Sequence, residues 1–379
     1  MKILICTPEY PPYYSSGIGN VVYYLKEQFE RAGIKCITCS TMCSDIELCN
    51  GILAKRFAAF RFLYLPYFWY KARKYVKRNS AKYDLIWAHN PMPHFLKASP
   101  MKNELIITFH TILSYSLRYS KYPQFIASIV KKLEIESLKN IGDNAKIIVV
   151  SQKVGEELEE FGVDKEKIKY IPNGVDTNLF TPSGEKKMLR KKFGIPEEDL
   201  IILSLGKLKK QKQPSKLIAI FSKIKKELKN VTLVIAGRGE LLDETKELVT
   251  QKKLKNVIFL GYVDEKDKPD LYACSDYYIM TSMYEGLPLT LLESMASGLP
   301  CIVSDIPNLR LVEVANCGIV VDFVDEEKAA QEIIGYLEQD NYRHAKNARE
   351  YAVKNLDWKI IAGRYLEEFE ALYREVNPL

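Results

Sequence analysis

The chain has 379 residues, 47% of them hydrophobic and 27% charged. This composition excludes a disordered chain, and the length exceeds what one hydrophobic core usually organises, so two domains are expected. The apolar run at the start is too short for a secretory signal, and no stretch approaches the roughly 20 apolar residues of a membrane-spanning helix. We therefore expect a cytoplasmic protein. The net charge is +7, and the excess lies in residues 1–180, which hold 25 Lys or Arg against 17 Asp or Glu.

The first half of the sequence alternates compact apolar runs with helix-forming segments. An apolar run at residues 3–6 predicts a strand, and a loop and a helix at 19–32 follow it, ending at Gly33. Pro172, Asn173 and Gly174 interrupt regular structure and predict a domain boundary. Further strands are predicted at 34–39, 85–88, 105–109, 147–150 and 168–171.

The loop at residues 11–20 carries two glycines at the start of the predicted helix. Gly17 and Gly19 let the backbone approach a ligand closely, where the N–H groups of a helix start attract phosphate. The spacing is close to the dinucleotide fingerprint G-x-G-x-x-G. However, Val22 replaces the third glycine, and the second strand ends at Cys39 and Ser40 with no acidic residue. The loop therefore argues against an NAD enzyme.

Four of the eight cysteines crowd together, at Cys36, Cys39, Cys43 and Cys49. Their spacing matches no zinc or iron–sulfur pattern, and no histidine lies nearby. We expect them to be small apolar side chains in and after a strand, with neither a metal nor a disulfide.

Residues 52–82 contain nine Lys or Arg and no acidic residue, and the basic residues are interleaved with aromatic ones. One interpretation is a surface that meets an anionic membrane. The other is a core helix whose polar face is basic. A nucleic-acid partner fits the pattern less well and is not expected. A second acid-free run, at 105–133, supports the membrane interpretation.

The second half repeats the alternation. Helices are predicted at 214–228 and 240–254, among strands at 200–205, 232–236, 257–260, 277–281, 301–304 and 319–321. Alternating strands and helices with right-handed crossovers imply a parallel, doubly wound sheet in each half. The predicted fold is therefore α/β, with two Rossmann-like domains, 1–172 and 173–357, that face each other across a cleft.

Two glutamates follow the strand predicted at 277–281, with seven residues between them. Glu285 falls in the loop that leaves the strand, and Glu293 about a turn inside a helix that begins near Pro288 and ends before Gly298. Ligands of open α/β sheets bind beyond the carboxyl ends of the strands. Two carboxylates beside a bare helix start suit a ligand with hydroxyls and phosphates, such as a sugar nucleotide.

This segment resembles the E-x7-E motif of the retaining glycosyltransferases of family 4, which have the GT-B fold and move a sugar from a nucleotide donor to an acceptor. The resemblance runs in family order from Gly17 to the glutamate pair. It implies that Glu285 holds hydroxyls of the donor sugar and Glu293 the ribose. It also implies that residues 358–379 form a helix that packs back on the first domain. The remaining donor-binding residues implied here are Gly286, Leu287, Pro288, Leu289 and Thr290.

The loop after the strand at 200–205 is rich in lysine. In family 4 the equivalent run usually reads Gly-Arg-Leu, three residues, then Lys-Gly. Lys212 matches the family lysine, while Lys207 replaces the arginine and Gln213 the glycine. The resemblance places Lys212 and Lys207 on the leaving diphosphate, where positive charge stabilises the transition state. Lysine keeps the charge of arginine but loses the bidentate fork.

Four further positions are assigned by resemblance. His110 ends a predicted strand where family members carry a histidine near the donor sugar, and is taken as catalytic. His89 ends the neighbouring strand and is taken as acceptor-binding. Gly237 and Tyr262 follow apolar strands in turns that resemble the base-contacting turns of the family. No Asp-x-Asp motif is present, so no divalent metal or other cofactor is expected.

The function predicted is transfer of a hexose, with retention, from a UDP- or GDP-linked donor to an acceptor hydroxyl. The membrane interpretation favours a lipid-linked or membrane-proximal acceptor glycan, with the protein peripheral on the inner face of the cell membrane. Two alternatives stay open. One is a nucleotide-sugar 2-epimerase of the same fold, and the other a non-catalytic carbohydrate- or membrane-binding module.

Overall fold

The computed structural model describes residues 1–11, 17–41, 44–48, 61–89, 104–120, 122–139 and 145–376. The chain divides into two compact units. The first unit consists of Met1–Arg118, Tyr122–Asn173 and Trp358–Leu379. The second consists of Tyr119–Lys121 and Gly174–Asp357.

The described residues of the first unit form a seven-stranded sheet in which neighbouring strands are parallel. Its strands are β1 (Lys2–Cys6), β2 (Lys35–Ser40), β3 (Ile46–Glu47), β4 (Leu85–His89), β5 (Glu104–Phe109), β6 (Ala145–Val149) and β7 (Ile168–Tyr170). Their order is β3-β2-β1-β4-β5-β6-β7. The helices are α1 (Gly17–Arg31), α2 (Arg61–Asn79), α3 (Leu113–Arg118), α4 (Gln124–Leu138) and α5 (Gln152–Glu160), followed by the C-terminal helix Trp358–Val376.

Helices cover both faces of this sheet, which explains why its strands are continuous apolar runs rather than alternating ones. On one face, Phe68 and Trp69 of α2 join Leu158 of α5 in a core beneath the strands. On the other face, Phe29 of α1 lies 5.4 Å, between ring centroids, from Phe369 of the C-terminal helix. The C-terminal helix is thus part of the hydrophobic core of the first unit.

The described residues of the second unit form a six-stranded parallel sheet of order β10-β9-β8-β11-β12-β13. Its strands are β8 (Leu200–Leu205), β9 (Val231–Ala236), β10 (Val257–Gly261), β11 (Tyr277–Met280), β12 (Cys301–Ser304) and β13 (Gly318–Val321). Its helices are α6 (Lys186–Phe193), α7 (Pro214–Glu227), α8 (Leu242–Gln251), α9 (Lys268–Ala273), α10 (Leu289–Ala296), α11 (Leu311–Val314), α12 (Glu326–Leu337) and α13 (Tyr342–Asn355). We label the C-terminal helix Trp358–Val376 α14.

The predicted fold class, two doubly wound parallel sheets, is confirmed. The strands predicted at 200–205 and 301–304 have the observed bounds, and most others differ by one or two residues at an end. The strand β3 was not predicted, and neither were several helices, among them α3, α4, α6 and α13. The helix predicted at 240–254 is shorter, because it begins at Leu242 and ends at Gln251.

The stretch at 52–82 lies partly outside the described residues, and Cys43 and Cys49 lie outside them. Its described part is α2 and a short turn, and the helix buries Phe68, Trp69, Ala72 and Val76. Residues 61–79 therefore fit the interpretation as a core helix, and contact with a membrane stays a prediction. Cys36 and Cys39 are buried and belong to no disulfide, and the part of the chain that the structure describes contains no cluster of metal-ligating side chains.

Both sheets contain a point at which the strand order reverses. β1 and β4 are neighbours in the first sheet, although β2 and β3 lie between them in sequence, and β8 and β11 are the corresponding neighbours in the second. Crevices form outside the carboxyl ends of such strand pairs, because the connections leave to opposite sides. The loops after β1, β4, β8 and β11 are therefore where the fold allows a ligand to bind.

A buried arginine links a helix of the second unit to the starts of its two central strands. The Arg190 guanidinium donates to the Asp276 carboxylate at 2.6 Å and to the carbonyl oxygen of Cys274 at 2.9 Å. The same carboxylate accepts the backbone N–H of Ile201 at 2.8 Å. These bonds join α6 to the starts of β8 and β11, which carry the loops of the candidate site.

Replacing Arg190 by Met should destabilise the second unit by about 3 kcal/mol, because it leaves a half-buried carboxylate and several carbonyls without their donor. Chemical denaturation measures the change. Lys187→Met is the matched control, since Lys187 forms an exposed pair with Glu198 and should cost less than about 1 kcal/mol. Equal effects of the two substitutions would contradict the assignment.

Candidate active site

A lysine and a glutamate meet at the carboxyl ends of β8 and β11. Lys212 Nζ lies 2.6 Å from Glu285 Oε1, and the side chains are only 21% and 10% exposed. Lys212 ends a short 3-10 turn, Lys210–Lys212, in the loop after β8. Glu285 lies in the loop after β11. The two predicted catalytic residues are therefore brought together, in direct contact with each other.

Hydrogen bonds to backbone carbonyl oxygens hold these two loops together. Thr281 Oγ1 donates to the carbonyl oxygen of Lys212 at 2.9 Å, and the N–H of Met283 donates to that of Gln211, also at 2.9 Å. The Gln211 amide donates to the carbonyl of Tyr284. Because every bond uses a backbone group of at least one loop, the ammonium and the carboxylate are positioned by the loops and not only by their own attraction.

Two glycines permit the loop after β8 to rest on the loop after β9. A Cβ on Gly237 would lie 1.9 Å from the carbonyl oxygen of Gly206, and one on Gly239 2.1 Å from that of Leu208. Gly237 also has φ +137°, in a region that L side chains rarely adopt. The structure therefore gives Gly237 a packing role that the sequence interpretation, which assigned it to the donor, did not include.

Lys207 and Lys212 line the same small cavity at the end of β8, with Gly206 and the residues that follow β11. Lys207 is exposed, whereas Lys212 is half-buried. Gln213, which stands where the family usually has glycine, has φ +50° and immediately precedes Pro214, the first residue of α7. The departure from glycine thus falls on a left-handed backbone position, where a side chain is strained.

Glu293 lies on the buried face of α10, inside a network of polar groups. Tyr272 donates its hydroxyl to Glu293 Oε2 at 2.8 Å and also contacts the carbonyl oxygen of Thr290. Burial raises the pKa of Glu293, and the opposing effects of Lys268 and of the Tyr272 hydrogen bond do not cancel it. Lys268 is itself held by both carboxylate oxygens of Glu265, at 2.8 Å.

The start of α10 carries no side-chain cap. Pro288 precedes the helix in an extended conformation, and no side chain hydrogen-bonds to the first turn as a cap in the described residues. Gly286 and Leu287 are buried, and Pro288, Leu289 and Thr290 are half-buried. The first N–H groups of a helix have no partner within it, so this start offers donors and a positive dipole end to an anion.

Other residues also position this segment. Asn308 Nδ2 donates to the carbonyl oxygen of Glu285 at 2.6 Å. Tyr278 donates to Thr290 Oγ1 at 2.8 Å. Tyr262, predicted to contact the base, follows Gly261 and is 53% exposed. Sequence reasoning missed Gln211, Tyr272 and Asn308, because their partners are distant in sequence and no motif marks them.

The predicted residues of the first unit lie at the end of β4 and after β1 and β5. Gly17 and Gly19 are in the first turn of α1, where Gly17 is exposed and a Cβ added there would meet nothing within 4 Å. His89 ends β4, and His110 directly follows β5. Both histidines are buried, at 0% and 6% exposure.

The two histidines contact each other. His89 Nδ1 lies 3.1 Å from His110 Nε2, and the rings are inclined by 22°. Burial lowers the pKa of His110 to about 3. Burial, followed by the neighbouring His110, also lowers the pKa of His89 well below its ordinary value. Both imidazoles are therefore neutral at physiological pH.

Comparison with known proteins identifies the family of the chain. Residues 185–355 match the family model for glycosyl transferases group 1, and residues 15–179 match the model for glycosyltransferase family 4. Together the two matches take in most of the chain. The protein belongs to the family 4 glycosyltransferases of the GT-B fold, as predicted.

Relatives and a solved structure extend the comparison. The chain is 28% identical to an uncharacterized glycosyltransferase, MJ1607, of Methanocaldococcus jannaschii, over 96% of each chain. It is 28% identical to the alpha-monoglucosyldiacylglycerol synthase of Streptococcus pneumoniae, over 82% of this chain and 72% of that protein. The crystal structure of Anabaena HepE with UDP and glucose has the same fold, with a TM-score of 0.76 and 18% identity, over 98% of this chain and 100% of that one.

Replacing Glu293 by Gln should change how stability depends on pH. A carboxyl whose pKa is raised by folding contributes stability at low pH that is lost as the pH rises through that raised pKa. Gln keeps an acceptor for Tyr272 but does not titrate. The variant should therefore gain stability relative to the native protein as the pH rises above about 4.5, the ordinary pKa of a glutamate carboxyl.

Chemical denaturation of both proteins at a series of pH values measures the difference. Glu338→Gln, at the exposed end of α12, is the control and should show no comparable trend. A constant difference between Glu293→Gln and the native protein at all pH values would contradict the burial assigned to Glu293.

Proposed function

We propose that the protein transfers a hexose, with retention, from a UDP- or GDP-linked donor to an acceptor hydroxyl. The observation that carries the proposal is the contact of Lys212 with Glu285 at the strand pair where the order of the second sheet reverses. Ligands of open α/β sheets bind at such a point. The solved structure of Anabaena HepE with UDP and glucose, which has the same fold, supports a uridine donor.

The leaving group of this reaction is a nucleoside diphosphate, on which negative charge develops as the glycosidic bond breaks. Lys212 supplies a half-buried ammonium group for this charge, and its effect is strong where water is partly excluded. A phosphate oxygen that reaches Lys212 competes with Glu285 for the ammonium. Glu285 is then available to accept hydrogen bonds from hydroxyls of the donor sugar, which is the role the family resemblance gives it.

Further groups are proposed to bind the diphosphate. Lys207 lines the cavity with Lys212 and, being exposed, can swing onto the diphosphate. The uncapped start of α10, at Gly286–Thr290, and the glycine turn at Gly17 and Gly19 offer backbone N–H groups to phosphate oxygens. The proposal assigns stabilisation of the diphosphate to these groups and includes no divalent cation or other cofactor.

The nucleoside part of the donor is assigned to Glu293, Gly237 and Tyr262. Tyr272 occupies one oxygen of Glu293, and the other is the acceptor proposed for the ribose hydroxyls. Tyr262 offers an exposed ring beside the turn after β10 for contact with the base. Gly237 keeps the neighbouring turn free of a side chain.

Replacing Lys212 by Met or Glu285 by Gln should lower the turnover of the donor by several kcal/mol of transition-state stabilisation, roughly 10²- to 10³-fold. Release of nucleoside diphosphate from UDP- and GDP-sugars measures the loss. The matched control is Lys210→Met, because Lys210 is an exposed lysine of the same turn. Unchanged turnover in both site variants would refute the proposed chemistry.

We further propose that the acceptor is lipid-linked or membrane-proximal and that the first unit binds an anionic membrane, with the protein peripheral on its cytoplasmic face. Along α2, Lys74, Lys77 and Arg78 are exposed on the side opposite the buried Phe68 and Trp69. The helix therefore packs on the core and presents a basic face at the same time. None of the helices described is long and apolar enough to cross a bilayer.

A stripe of large apolar side chains on α4 also supports binding to a membrane. Phe125, Ile129 and Leu133 are 64%, 53% and 48% exposed, and their spacing of four residues puts them on one side of the helix. The neighbouring Lys132 is also exposed. Insertion of an apolar stripe flanked by bases is typical of helices that lie in a membrane interface. The Streptococcus pneumoniae relative, an alpha-monoglucosyldiacylglycerol synthase, supports a lipid acceptor.

Replacing Phe125, Ile129 and Leu133 together by Ser should weaken binding to anionic vesicles at least about 10-fold, because each large apolar side chain that enters the interface contributes roughly 1.5 to 3 kcal/mol. Sedimentation with vesicles of phosphatidylglycerol and phosphatidylcholine at low salt measures binding. The control is Val324→Ser, since Val324 is 82% exposed in the second unit. Equal binding of the native protein to anionic and neutral vesicles would contradict the proposed binding to an anionic membrane.

A further inference from the structure

A buried serine hydroxyl at the cavity after β8 lacks a hydrogen-bond partner. Ser282 follows the end of β11 by two residues and is 1% exposed. Its Oγ has no partner among the residues that the structure describes. Ser282 lines the same small cavity as Lys207 and Lys212. A buried polar group without a partner is unfavourable in the folded state, so its presence calls for an explanation.

Hydrogen bonds on both sides of Ser282 hold its backbone beside the loop after β8. The preceding residue, Thr281, donates its hydroxyl to the carbonyl oxygen of Lys212 at 2.9 Å. The following residue, Met283, donates its N–H to the carbonyl oxygen of Gln211, also at 2.9 Å. Ser282 is therefore fixed next to the loop that carries Lys212, while its own hydroxyl takes no part in joining the two loops.

The groups that line the cavity determine which partner suits this hydroxyl. The ammonium groups of Lys207 and Lys212 can only donate hydrogen bonds, and a serine hydroxyl can donate as well. A ligand oxygen that meets such groups has to accept several hydrogen bonds and carry negative charge. A phosphate oxygen does both, and hydrogen bonds to an ionised acceptor are roughly twice as strong as neutral ones. The chemistry of the cavity therefore favours a phosphate.

We infer that Ser282 binds the diphosphate of the ligand, by donating its hydroxyl to an oxygen of the phosphate that Lys212 attracts. The inference rests on the proposed function, in which a nucleoside diphosphate leaves at this cavity. The ligand then supplies the partner that the folded chain lacks. The unfavourable burial of the hydroxyl in the free protein is relieved on binding, so Ser282 contributes to the affinity for the diphosphate.

Calorimetric titration of Ser282→Ala with inorganic pyrophosphate, UDP and GDP tests the binding role. The variant should bind pyrophosphate, and whichever nucleoside diphosphate the native protein binds, about 10-fold more weakly, because a hydrogen bond to a charged group is lost. The matched control is Ser297→Ala. Ser297 Oγ is also buried without a partner among the described residues, but it follows α10 and is not among the residues that line the cavity. Its removal should change these affinities less than about twofold.

Unfolding of the ligand-free variants in urea separates a binding role from a structural one. Alanine removes an unsatisfied polar group at either position, so neither substitution breaks a hydrogen bond of the folded chain. Both Ser282→Ala and Ser297→Ala should therefore unfold at a urea concentration no lower than that of the native protein. A clear loss of stability in Ser282→Ala alone would mean that the hydroxyl has a structural partner, and would overturn the inference.

The same experiments separate the inference from the proposed function. If the native protein consumes no nucleotide sugar but binds pyrophosphate more tightly than Ser282→Ala does, the proposed function fails and the phosphate-binding role of Ser282 stands. If a nucleotide sugar is consumed and Ser282→Ala binds the released nucleoside diphosphate as tightly as the native protein, only the inference fails. The inference is also wrong if the native protein binds neither pyrophosphate nor a nucleoside diphosphate.

Discussion

The contact between the Lys212 ammonium and the Glu285 carboxylate is the constraint on which the account of this protein depends. Two loops that leave neighbouring strands at the reversal of the second sheet bring these side chains to 2.6 Å. Hydrogen bonds to backbone groups hold the two loops together. The ammonium and the carboxylate are therefore in position before a ligand arrives. Charged groups that the protein already holds in place need less reorganisation when charge develops in a transition state.

The two glutamates of the motif have different environments, and the difference suits different tasks. Glu285 is balanced by the ammonium of Lys212, which a phosphate can take from it. Glu293 is buried on α10, accepts a hydroxyl from Tyr272, and has a raised pKa because of that burial. A carboxylate that ligand binding frees from its ammonium partner suits the reacting sugar. A carboxylate that keeps its hydrogen bond suits the ribose, which does not react.

Much of the fold could be predicted from the sequence, because parallel strands covered on both faces are compact apolar runs. The predicted bounds of β8 and β12 match the observed bounds to the residue. The glutamate motif lies on a loop and the following helix, as predicted. The direct contact of Lys212 with Glu285 was not predicted. The resemblance assigned both residues to a ligand, and residues 73 positions apart in sequence give no local signal of their distance.

The same reason explains the supporting residues that the sequence did not reveal. Gln211, Tyr272 and Asn308 act through partners on other loops, and the packing role of Gly237 depends on the neighbouring strand. Gln213 departs from the family glycine at a left-handed position, which only the backbone angles show.

The most direct test of the account is a crystal structure of the protein with UDP or GDP bound, in parallel with a titration of each nucleotide by calorimetry. The account predicts that the diphosphate lies over the start of α10, with Lys212 Nζ within hydrogen-bond distance of a phosphate oxygen and no longer paired only with Glu285. A nucleotide bound elsewhere in the second unit, with the contact between Lys212 and Glu285 unchanged, would contradict it.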